Sequence, residues 1–79
     1  MVGIINNPYQ WRVILPDEII SWSRFADAWA YAQPDADEGW LYLSRATTIA
    51  RLANNENRIV VAWRPRPNEP DEQIVLEWF

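Results

Sequence analysis

Eleven carboxylates and seven guanidinium groups are the only side chains of this 79-residue sequence that carry charge at neutral pH, because Lys and His are both absent. Cys is absent as well. These absences exclude a thiol nucleophile, an imidazole base, a Schiff-base amine and a zinc site built from Cys and His. Gly occurs only at Gly3 and Gly39, too few to form a glycine-rich phosphate loop. The hydroxyls of Ser21, Ser23, Ser44, Thr47 and Thr48 have no basic side chain to activate them and are expected to serve as caps and surface, with Ser44 or Thr47 capping a short helix. Carboxylate pairs are the remaining acid/base candidates. A pair alone does not make a glycosidase-type site, which needs a cleft and one raised pKa, and a chain of this size offers little volume for either. The expectation is a non-catalytic protein without cofactor or metal.

Asp35-Ala36-Asp37-Glu38-Gly39 places oxygen ligands two apart beside a glycine, as a calcium loop does. The spacing then fails, since a loop starting at Asp35 would need Gly at position 40 and Glu at position 46, which hold Trp40 and Ala46. The segment reads instead as a polar turn that stops the preceding helix, with an acidic patch facing a partner as the alternative. Trp40 follows it directly, and an exposed Trp40 rimmed by Asp35, Asp37 and Glu38, with Tyr42 beside it, is the composition of an aromatic binding anchor. A Trp40 folded under the domain as a core lid is the competing reading. A second mixed segment, Arg64-Pro65-Arg66-Pro67 followed by Glu69, Asp71 and Glu72, either neutralises its own charges within the loop or offers guanidinium groups to a partner on a proline-stiffened loop that loses little entropy on docking. The candidate partner-binding set is therefore Asp35, Asp37, Glu38, Trp40, Tyr42, Arg64, Arg66 and Glu69.

These residues need a scaffold, and the composition supplies one. With 49% hydrophobic and 23% charged residues, the chain has too much to bury to remain a solvated tail, and 79 residues suffice for one domain spanning 1–79. Its six tryptophans, at 11, 22, 29, 40, 63 and 78, are the furthest departure from average composition, and all but Trp40 are expected to point inward. A net charge of −4 and scattered arginines oppose direct nucleic-acid binding. Apolar runs reach only five residues, as in Ile59 to Trp63, far short of a membrane helix, and without cysteines or a basic leader a cytoplasmic location is expected.

Along the chain, Met1 to Ile5, the turn cluster Asn6-Asn7-Pro8 and the alternating Tyr9 to Leu15 predict an N-terminal hairpin. Pro16 with Asp17 and Glu18 resembles a helix start, and Trp22, Phe25, Ala26 and Trp29 follow helical spacing, so a main helix is predicted over 16–33, ended by Pro34. Aromatic and branched residues predict a strand over 40–44, although the same segment could begin a helix, and a short helix follows over 46–54. Arg58 to Arg64 and Gln73 to Phe79 alternate and predict a hairpin around the loop Pro65 to Glu72. Symmetric pairing would set Trp63 against Ile74, Val61 against Leu76 and Ile59 against Trp78 on an apolar inner face, leaving Val60, Ala62, Arg64, Gln73, Val75 and Glu77 outside.

The expected architecture is α+β: an antiparallel sheet of three to five strands packed on one main helix plus a short second helix. The expected function is an intracellular protein-binding module, a small subunit, adaptor or inhibitor attached to a larger protein or complex. One alternative is an acidic inhibitor occupying the nucleic-acid-binding groove of an enzyme, such as a phage or mobile-element anti-defence protein. A small-ligand-binding domain is the second alternative. A homodimer joined through an open edge carrying Val75, Glu77 and Phe79 is a further arrangement that the pattern admits.

Overall fold

The structure, a computed structural model, describes residues 10–79. It is an α+β domain whose five strands form one antiparallel sheet, as the sequence predicts. Strands β1 (Trp11–Ile14), β2 (Ile19–Trp22), β3 (Leu41–Tyr42), β4 (Arg58–Arg66) and β5 (Glu69–Trp78) lie in the order β2-β1-β5-β4-β3. Helix α1 (Phe25–Tyr31) follows β2, a 3-10 turn covers Ala36–Glu38, and helix α2 (Arg45–Ala53) links β3 to β4.

Only the second half of the expected N-terminal hairpin falls within the described residues, where it forms β1. Both edges of β1 are taken, one by β2 and the other by β5. The helix expected over 16–33 is replaced by a hairpin and a shorter helix. Pro16 and Asp17 are the two central residues of a turn, closed by the Leu15 N–H donating to the Glu18 carbonyl at 2.8 Å. Pro at a fixed φ suits such a turn as well as it suits a helix start, and the branched Ile19 and Ile20 gain more from the pleated surface beside β1. Helix begins only at Phe25, and the longer helix is α2.

The second helix matches its prediction closely. Ser44 caps it, its side chain accepting from the Thr47 N–H at 3.0 Å, and Asn55 leaves it with φ at 67°. Thr48 is fully buried and satisfies its hydroxyl by donating to the Ser44 carbonyl at 3.0 Å.

The C-terminal hairpin is longer and tighter than expected. Most of the predicted loop is strand, with Arg66 opposite Glu69 and only Pro67 and Asn68 at the bend, where Asn68 adopts φ 62°. Pairing is not symmetric about one centre: Ile59 opposes Leu76 rather than Trp78, Trp63 opposes Gln73 rather than Ile74, and an extra residue at Val61 shifts the ladder between Val60 and Ala62. Such a bulge resets the alternation, so Val61 and Ala62 both reach the core while Trp63 turns away from it. The expectation that Trp63 points inward and Ala62 outward is thus reversed by one inserted residue.

Both helices cover the face carrying Val13, Ile59, Val61, Ala62, Ile74 and Leu76, with Ala28 of α1 and Ala32, which caps its C-terminal end, fully buried against it. Trp11, Trp22, Phe25, Trp29, Trp40, Leu43 and Leu52 ring this core. Trp11 sits edge-on to Phe25 at 5.1 Å between centroids and lies against Trp78 at 6.1 Å, yet Trp78 is 46% exposed at the end of the sheet. On the opposite face Val75 lies between its cross-strand neighbours Ile14 and Val60, and Glu77 pairs with Arg12 and Arg58 on either side. Because β5 sits between β1 and β4, Val75, Glu77 and Phe79 form no open edge, so the edge pairing the sequence admits there has no free edge to use.

Candidate functional site

Three segments distant in sequence converge beside the stem of the β4–β5 hairpin. The acidic turn is shaped by Asp35, whose carboxylate accepts from the Asp37 N–H at 3.0 Å and caps the 3-10 turn, and by Gly39, whose φ of 82° lets the chain reverse into β3. That reversal sets Trp40 immediately before β3, where it packs partly against the core.

Arg64 in β4 organises the cluster. Its guanidinium carbon lies 4.9 Å from the centroid of the Trp40 ring, its Nη1 donates to the Glu38 carbonyl at 3.3 Å, and the Glu38 carboxylate lies 3.7 Å away. From the other side Glu72, directly opposite in β5, accepts from Arg64 Nε at 2.8 Å. A guanidinium over an indole ring, hydrogen-bonded to the Glu72 carboxylate and the Glu38 carbonyl, is held in one orientation more firmly than a free arginine side chain.

The eight predicted residues divide accordingly. Glu38, Trp40 and Arg64 are brought into contact. Tyr42 stands opposite Ala62 on the neighbouring strand and is 52% exposed, whereas Asp35 and Asp37 remain on the acidic turn. Arg66 and Glu69 are joined to each other by an ion pair at the hairpin tip. Trp40 combines both readings of the sequence: one part is a lid on the core, and its ring carries Arg64.

Glu72 is outside the predicted binding set because a loop over 65–72 sets no position against another, whereas it lies in β5 directly opposite Arg64. A strand reading extended to the turn at Pro67 and Asn68 would have set Arg64 across from Glu72. Among the described residues there is no pocket and no group of three or more acidic side chains close enough to share a metal. Among those residues no helix is long and apolar enough to cross a membrane either. No family model, curated protein or solved structure matches the chain.

Proposed function

We propose that this chain is a non-catalytic protein-binding module that attaches to a larger protein through the hairpin side of its sheet, with Trp40, Tyr42, Arg64 and Arg66 as contacts and Asp35, Asp37, Glu38 and Glu69 as the charged rim. The observation that carries this reading is the placement of Arg64 over Trp40, held by Glu38 and Glu72 beside the stem of the β4–β5 hairpin. Arg and aromatic residues dominate the energetics of protein interfaces, and an anchor ordered in advance lowers the entropy lost on docking. The next two β4 residues, Pro65 and Arg66, are exposed and extend the same surface to the tip. The acidic inhibitor of a nucleic-acid enzyme is disfavoured because five of the eleven carboxylates, those of Glu38, Glu56, Glu69, Glu72 and Glu77, are already paired with arginines. A small-ligand domain lacks support for want of a pocket among the described residues.

The test is affinity capture from extracts of the source organism at low and high salt, with Tyr42→Ala combined with Arg66→Glu as the disabled bait and Ile49→Ala, on the exposed side of α2, as the control. One stoichiometric partner that survives high salt, persists with the Ile49→Ala bait and is lost with the double variant is the expected result. Capture that is indifferent to the double variant would sink the proposal, and a basic nucleic-acid enzyme released by salt would revive the inhibitor reading.

A further inference from the structure

A five-stranded open sheet has two edges, and here they differ in how they meet solvent. At the β3 edge the strand is only Leu41 and Tyr42 before α2 begins, and the next β4 position on that side is Pro65, which has no N–H to offer. At the β2 edge the strand reads Ile-Ile-Ser-Trp, with no charge and no proline inside it, and Ile19 is 60% exposed. Such an edge is a template for another strand.

The register decides which groups this edge presents. The Leu15 N–H donates to the Glu18 carbonyl to close the β1–β2 turn, and because hydrogen-bonded pairs alternate in an antiparallel ladder, the next are Val13 with Ile20 and Trp11 with Trp22. Ile19 and Ser21 therefore direct their N–H and C=O groups outward, where no strand among the described residues meets them.

The charges at the two ends of β2 are complementary. Arg24, just past its end, is the one arginine of seven whose guanidinium meets neither a carboxylate nor an aromatic ring among the described residues. Asp17, just before its start, forms no ion pair among them either. A strand with an unpaired cation at one end and an unpaired anion at the other matches an antiparallel copy of itself.

We infer that the protein forms a two-fold dimer in which β2 pairs antiparallel with β2 of a second copy, Ile20 opposite Ile20, to make one continuous ten-stranded sheet. Ile19 of each copy then exchanges hydrogen bonds with Ser21 of the other, four bonds in all, and each Arg24 comes beside Asp17 across the junction. The helices do not obstruct this. Helix α1 packs over β1 and β2, so its two copies would run about 10 Å apart, an ordinary packing distance.

Sedimentation of the full chain over a concentration series tests the inference. Wild type should show a monomer–dimer equilibrium, and Ser21→Pro, which deletes a donor the monomer's own ladder does not use, should abolish it while leaving the melting temperature unchanged. Should Ser21→Pro fail to fold, charge reversal serves in its place: Arg24→Asp or Asp17→Arg alone should weaken the dimer by about tenfold or more, and the double variant should restore it. A wild type that stays monomeric up to about 1 mM, well above the range of specific association, would overturn the inference. So would a dimer indifferent to Ser21→Pro, or to the single charge reversals.

Discussion

At the scale of single residues, two large apolar positions in β4 have opposite fates although they lie only four positions apart. Ile59 is fully buried among the core residues, whereas Trp63 is half-buried on the face away from both helices. Ile59→Ala should therefore lower stability by about 2 to 5 kcal/mol, as full burial with a residual cavity implies. Trp63→Ala should cost clearly less in the same denaturant titration. Equal losses would place Trp63 back in the core. A second residue-scale prediction concerns acid. Arg51 donates to both oxygens of Glu56, at 2.9 and 2.7 Å, and that hydrogen bonding, reinforced by the opposite charge, holds the Glu56 carboxyl below its ordinary value against a smaller opposing effect of desolvation. A carboxyl depressed in the folded state contributes stability above its unfolded pKa, and that contribution fades as pH falls through the folded one. Proton titration followed by NMR should show Glu56 ionising at lower pH than a free glutamate, and Arg51→Gln should return it to the ordinary range. At the alkaline end Tyr31 behaves conversely. Its hydroxyl donates to Glu18 at 2.6 Å, and this bond, with lesser contributions from desolvation and from the charges of Glu18 and Asp17, raises its pKa. The stability it adds is present below the unfolded value and is lost as pH climbs through the raised one, so Tyr31→Phe should remove that alkaline limb from the stability profile.

At the scale of elements, the helix over 45–53 and the long C-terminal hairpin were legible in the sequence because cap, period and stop agree: Ser44, the apolar spacing from Ala46 to Ala53, and the paired asparagines. Ser44→Ala should cost about 1 kcal/mol by removing that cap, measured by denaturant unfolding, with helical content otherwise retained. The segment 16–33 misled because its signals conflict. Trp22, Phe25, Ala26 and Trp29 fit a helical face, but Trp22 reaches that face as the last residue of a strand, lying 5.2 Å from Tyr31 between ring centroids. Pro16 with Asp17 serves turn and helix start alike, so local chemistry does not choose between them; pairing with β1 does, and pairing is not local. The bulge at Val61 left no trace in the sequence, since Val60, Val61 and Ala62 are all apolar and any alternation drawn through them looks consistent. The same blindness hid Glu72 from the candidate site, whose other members were found because Trp40 and the arginines are unusual for where they stand.

At the scale of the whole molecule, the protein is elongated: the principal extents are 53, 26 and 19 Å and the radius of gyration is 14.0 Å, against about 11 to 12 Å for a compact domain of this length. Small-angle scattering at low concentration should return the larger value, and a radius in the compact range would contradict the elongation. Strand order has a further consequence, for the history of the chain on the ribosome. The strand that joins the two halves of the sheet, β5, is synthesised after the other four. Until it emerges, the β1–β2 hairpin with α1 and the β3–α2–β4 unit have no strand between them and no shared interior, and each alone is too small to hold its aromatic residues out of water. Assembly thus waits for the last strand, which enters between two waiting partners and completes both at once, so the nascent chain passes from open to folded in a single late step.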